Sequence, residues 1–136
     1  MEEEVGAIDP YKVVPPCHID PDGTFKYIQI ALTVPWSSNP VIFVRGFKKF
    51  AYHMNIFEHF EQTELPLIIK ANGGRTDGIA ATCPGGGRIE HKSGEKSVFI
   101  YGYSQSYGQP DHTVAQKIVQ EAFGAEYKVT WSNEGY

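Results

Sequence analysis

The chain has 136 residues, 41% apolar and 21% charged, the length and content of one domain that can bury a core without metal or disulfide staples. Eight Tyr, eight Phe and two Trp exclude general disorder, and no apolar run reaches the roughly 18–20 residues of a membrane span. The net charge of −4 argues against a nucleic-acid binder, yet residues 25–57 carry Lys26, Arg45, Lys48 and Lys49 with no acid, a local basic cluster suited to a small anion.

Residues 1–18 read as an acidic leader, mobile or packed on an edge, ahead of a domain over 19–136. The opening MEEEVGAIDPYK lacks the apolar stretch of a secretory signal. Cys17 and Cys83 form no CxxC pair, so a reducing, cytoplasmic location is expected. IDPDG marks a turn, and TFKYIQIALTV, residues 24–34, follows as a strand. Its even row is Lys26, Ile28, Ile30, Leu32 and Val34, so the lysine should emerge at the rim of the core where the strand begins. VIFVR, residues 41–45, is a second strand. In YHMNIFEHFEQTEL, Met54, Phe57 and Phe60, with Ile56, recur at helical spacing.

The stretch 65–84 is ambiguous, with LPLIIKA as a short strand, NGGRTDG as a turn and IAATC as the start of another strand. A β-hairpin is predicted over 87–92 and 97–103. Thr113, with Gln116 three residues on, predicts a capping box that opens a helix ending at Gly124. YKVTW, residues 127–131, closes the chain as a strand. The expected architecture is α/β: a single domain with a small mixed β-sheet of about six strands flanked by two α-helices.

Several residues could carry chemistry. Gly85, Gly86 and Gly87 before Arg88 permit close backbone approach and an anion cradle, or simply a β-bulge beside a surface arginine. No Lys-Ser or Lys-Thr follows them, so this is no P-loop. The five histidines include no HExxH and share no ligand spacing with the cysteines, so neither a metal nor another cofactor is expected. His53 falls at a helix start, where free N–H groups favour an anion, and it follows Arg45, Lys48 and Lys49. Positive neighbours should lower its pKa and keep the ring neutral, as a base or nucleophile requires; packing on Tyr52 is the plain alternative. Ser104 and Ser106 in YGYSQSYG could donate to an oxyanion, or belong to an ordinary loop, and no GxSxG elbow is present.

Taken in order, IDPDGTFKYIQI, VRGFKKFAYHMNIFE, CPGGGRIEH, IYGYSQSYG and YKVTWSNEGY resemble the phosphohistidine phosphatase family, which includes the Janus and ocnus proteins, over roughly residues 19–136. The resemblance implies hydrolysis of the P–N bond of phosphohistidine in proteins without a metal, extending in some members to phospholysine or small phosphoramidates. It places the essential histidine on His53, the phosphate-binding lysine on Lys26 and two important arginines on Arg45 and Arg88. Backbone amides near Tyr52, His53 and Met54, with those at Ser104 and Ser106, would hold the phosphoryl oxygens. The implied partners are histidine-phosphorylated proteins, with no nucleic acid or membrane, and the chain is expected to act as a monomer. Two features depart from the family pattern: a longer stretch before the GGGR block, and Ser106 in place of alanine. A non-catalytic phosphoprotein-binding module using the same pocket is the alternative function.

Overall fold

Alternation along the long second strand organises the molecule. In the computed structural model, which describes residues 7–136, this strand sends Ile28, Ile30 and Leu32 to one face of a sheet and Phe25 and Tyr27 to the other, and each row seeds its own buried cluster. Every fully buried aliphatic of this kind contributes roughly 1.5–3 kcal/mol, so the register of this one strand is strongly determined.

The elements in chain order are β1 (Cys17–Ile19), β2 (Gly23–Thr33), β3 (Val41–Gly46), α1 (His53–Thr63), α2 (Leu65–Ala71), β4 (Ala80–Lys92), β5 (Ser97–Tyr101), α3 (His112–Phe123) and β6 (Lys128–Ser132). The strands form one six-stranded sheet in the order β1-β3-β2-β4-β5-β6. Its outer pairs, β1 with β3 and β5 with β6, are parallel, and the inner pairs are antiparallel. Helices α1 and α2 supply Ile56, Phe60 and Ile68 to one core, while α3 covers the opposite face with Ala115 and Val119. This is the α/β single domain with a mixed sheet that the periodicities predict.

Three local expectations are corrected. LPLIIKA is helical, not a strand. Pro66 sits in the first helical turn, where its missing N–H costs nothing, and Ile68 is buried against the core, so the β-branched pair does not decide the conformation. Strand β4 begins at Ala80 and runs through all three glycines to Lys92. A register shift in its pairing with β2 falls opposite Gln29 to Ala31 and accommodates Pro84, which has no N–H to donate. Helix α3 is capped by Asp111, whose carboxylate accepts from the Thr113 N–H at 3.0 Å, rather than by Thr113 itself.

Of the acidic leader, residues 1–6 lie outside the described residues. Residues 10–12 form a 3₁₀ turn, Val14 is buried, and Cys17–Ile19 pairs along the edge of β3. Among the described residues, no helix is long and apolar enough to cross a membrane.

Candidate active site

The antiparallel register of β2 and β4 sets Lys26 directly opposite Arg88. Like charges across a strand pair repel, so the arrangement is unfavourable unless an anion lies over it. Desolvation, helped by Arg88, holds the Lys26 ammonium below its ordinary pKa. Helix α1 starts beside this pair. Its N-cap, Tyr52, is in extended conformation and makes no side-chain capping bond, which leaves the first helical N–H groups free of a capping partner.

His53, the first residue of α1, is only 6% exposed. Its Nε2 lies 2.9 Å from the Gly87 carbonyl oxygen. A carbonyl can only accept, so Nε2 carries the proton, and Nδ1 is the ring nitrogen left available to the site. Burial lowers the pKa of His53; Lys26 and Arg88 push the same way, and the Gly87 bond partly opposes them. The ring is therefore neutral at pH 7. The direction is the one expected from the sequence, but its largest cause is desolvation, and the cations involved are Lys26 and Arg88 rather than Arg45, Lys48 and Lys49. The Lys49 ammonium lies over the Phe50 ring, and the Lys48 side chain lies against Gly23.

The glycine run serves this geometry and is not an anion cradle. A Cβ on Gly86 would stand 2.8 Å from His53 Cδ2 and 2.4 Å from the Tyr27 carbonyl oxygen. On Gly87 it would meet the Tyr101 carbonyl oxygen at 2.2 Å and His112 Cε1 at 3.1 Å, on the opposite face of the strand. One histidine ring thus packs on each side of a side-chain-free stretch of β4. His112 is itself buried, with Nε2 donating to the Gly102 carbonyl at 2.8 Å and Nδ1 accepting from the Tyr27 hydroxyl at 2.6 Å. Gln29 donates to the same hydroxyl and to the Asp111 carbonyl, tying the sheet to the loop after β5.

That loop closes the site. Ser104 and Gly108 exchange backbone hydrogen bonds at 3.1 and 2.8 Å, and the buried Ser104 Oγ accepts from the Tyr107 N–H at 3.1 Å. The Ser104 amide is therefore spent on the turn and is not an oxyanion donor. The turn instead presents Gln105 and Ser106, which line a hollow of about 110 Å³ together with Lys26, Ala51, Tyr52, His53 and Tyr136. Arg88 stands at its edge, with Nε donating to a main-chain oxygen of Tyr136 at 2.8 Å and the guanidinium over that ring. The hollow is well below the roughly 300–1,000 Å³ of clefts for drug-sized ligands and suits one small anionic group. A larger cleft of about 640 Å³ lies between α3 and the loop before β3. Its one charged group is Lys117, and no imidazole lines it, so volume does not mark the chemistry here.

A model of the Janus/Ocnus family matches residues 11–128. The chain belongs to that family. It is 34% identical over 136 residues to the human 14 kDa phosphohistidine phosphatase, covering 96% of this chain and 99% of that protein. The pig 14 kDa phosphohistidine phosphatase is 34% identical over 129 residues, covering 90% and 93%. The sex-regulated protein janus-A of Drosophila simulans is 37% identical over 123 residues, covering 90% of this chain and 82% of that one.

Of the residues expected from the family resemblance, the structure brings Lys26, Tyr52, His53 and Ser106 to one hollow with Arg88 at its edge. Met54 lies in the same helical turn with its side chain 44% exposed. Arg45 is elsewhere. It is fully buried under α1, paired with Glu64 at 2.7 and 3.0 Å and donating to the carbonyls of Pro15, Pro16 and Val44. Every guanidinium nitrogen is engaged, so none can reach an anion at His53. Sequence reasoning passed over Gln105, which the flanking serines bracket, and Ala51 and Tyr136, for which no local pattern signals a pocket. Among the described residues, no three His, Cys, Asp or Glu side chains gather as a metal site.

Proposed function

We propose that this protein hydrolyses the P–N bond of phosphohistidine in proteins, with His53 as the reacting side chain. The observation that carries this reading is the buried imidazole whose Nε2 is engaged by the Gly87 carbonyl, leaving Nδ1 to the hollow beside the Lys26–Arg88 pair. Names of relatives at 34% identity point the same way. Phosphoryl transfer asks mainly for placement and charge stabilisation. Lys26 and the free N–H groups at the start of α1 grip the phosphoryl oxygens, and Gln105 and Ser106 close the opposite side. Arg88 adds positive charge from the edge.

Two chemistries are open to Nδ1. As a general base it takes a proton from an in-line water while the water oxygen bonds phosphorus. The P–N bond then breaks with its electron pair on the departing ring nitrogen, which takes a proton from solvent. As a nucleophile, Nδ1 bonds phosphorus itself and the same leaving group departs, after which water hydrolyses the new P–N bond. Rapid quench with labelled substrate separates the two, since only the second leaves label on His53. Neither step requires a metal in this account, and chelator treatment should leave the rate unchanged.

Phosphate release from a chemically phosphorylated histidine peptide is the test. His53→Ala should lose about a hundredfold or more in kcat with the fold intact by circular dichroism. Lys26→Ala should act chiefly on KM. Turnover retained in His53→Ala refutes the role assigned to that ring. Binding of the phosphopeptide by the wild type without phosphate release would make the protein a phosphoprotein-binding module. Such a protein is expected in the cytoplasm and as a monomer, which fractionation and sedimentation would check.

A further inference from the structure

The face of the sheet that carries Lys26 is only half covered. Helix α1 packs over β2 and the near part of β4, while Thr24, Phe99 and Thr130 are exposed in one row across the sheet on that face, a row that passes through the half-buried Glu90 of β4 between Thr24 and Phe99. The neighbouring row runs Lys26, Arg88, Tyr101, Ser132. Phe99 and Tyr101 stack on this open half with ring centroids 5.0 Å apart at 17°. The stack continues to the hollow, because Tyr101 stands opposite Arg88 and Arg88 lies over Tyr136.

Exposed apolar bulk is concentrated here. Of the eight large hydrophobic side chains exposed among the described residues, Tyr52, Phe99, Tyr103 and Tyr136 lie at the hollow or along this arc. A contiguous exposed aromatic surface on a small domain marks a place where something binds. The hollow itself, at about 110 Å³, accepts a phosphoryl group and not the chain that bears it.

We infer that the open sheet face is the docking track for the polypeptide flanking the phosphohistidine, and that Phe99 selects an apolar side chain in that segment. This rests on the proposed function, since it takes the hollow to hold the phosphoryl group. Two strand spacings and two residues along β5 put Phe99 roughly 12 Å from Lys26. An extended segment covers that distance in about four residues, so the selected apolar side chain lies three to five positions from the phosphohistidine. Phe99 touches neither the hollow nor His53, so it governs which peptide is held and not the chemistry.

The test uses peptides bearing phosphoryltriazolylalanine, a non-hydrolysable mimic of phosphohistidine, with either Leu or Ser at those positions. Calorimetric titration of the full chain should show the Leu peptide binding about five- to tenfold more tightly than the Ser peptide. Phe99→Ser should bring that ratio to one, and Phe99→Tyr should preserve it, with turnover of free phosphoramidate equal in all three proteins. A wild-type ratio of one, or an undiminished ratio in Phe99→Ser, overturns the inference. If phosphoramidate is not hydrolysed at all while the binding ratios behave as stated, the docking track stands and the hydrolase reading falls.

Discussion

Replacing Glu64 with Ala should destabilise the protein by about 2–3 kcal/mol while leaving the chemistry at His53 intact. Arg45 is 0% exposed and the Glu64 side chain 15%, and the carboxylate meets the guanidinium at 2.7 and 3.0 Å. Removing one partner of a fully buried pair costs about 3–5 kcal/mol because the other charge is stranded. Here three backbone carbonyls, at 2.7, 2.9 and 3.3 Å, remain on Arg45, and water can reach the Glu64 side, so the loss falls to the bottom of that range or just below it, about 2–3 kcal/mol. With about 2.1 cal/mol/K of unfolding entropy per residue, a chain of 136 residues loses roughly 7–10 °C in Tm. Glu64→Gln keeps one accepting oxygen and should lose about half as much. Urea denaturation and scanning calorimetry give the stability, and kcat/KM measured well below the transition should stay within about twofold of wild type. A stability loss under about 1 kcal/mol, or a selective rise in KM without destabilisation, would refute the assignment of Arg45 as a pin rather than an anion ligand.

Acid should weaken the fold through two of the buried histidines, His53 and His112. Burial holds His53 and His112 below the ordinary value of 6.5, so the unfolded chain binds more protons than the native state in acid. Their contribution is full above pH 6.5 and is lost as pH falls through the depressed values. A native stability that is flat between pH 7 and 5 contradicts this. In rate profiles, the acid limb of kcat/KM should lie below pH 6.5, and that of kcat should lie higher, because a bound phosphoryl dianion offsets Lys26 and Arg88. Gly86→Ala places a methyl 2.8 Å from the His53 ring and 2.4 Å from the Tyr27 carbonyl oxygen. It should cost about 1–3 kcal/mol of stability and lower kcat by more than about tenfold, whereas wild-type turnover would show that the ring does not need that space. Burial pushes the Cys17 and Cys83 thiols up to about 12, so iodoacetamide at neutral pH should leave activity unchanged. Inactivation that tracks alkylation of Cys83 would contradict it.

What was legible in the sequence follows from which interactions are local. The alternation in β2 and the helical spacing after His53 report burial directly, so both elements and the rim position of Lys26 could be read from the residues. The fate of Arg45 could not be. Its partners are Glu64 and the carbonyls of Pro15 and Pro16, far apart in sequence, and a basic residue near a candidate site looks the same whether it faces an anion or a carboxylate. The glycine run is a similar case. Its composition left an anion cradle and a β-bulge beside a surface arginine both open, and the glycines are required by rings arriving from residues 53 and 112. LPLIIKA misled because isoleucine pairs favour strands, and only the packing of Ile68 under the sheet overrides that preference. Ser104 shows the limit in the other direction: a serine at the right place in the loop spends its donor on the turn.

Nitrogen-15 NMR of the histidine side chains, with inorganic phosphate titrated in at pH 7, addresses the tautomer and charge of His53 without relying on turnover. The protein should show Nε2 protonated and Nδ1 with the shift of a bare pyridine-type nitrogen, and that Nδ1 signal should move as phosphate binds. An imidazolium at pH 7, a proton on Nδ1, or a ring indifferent to phosphate would contradict the account.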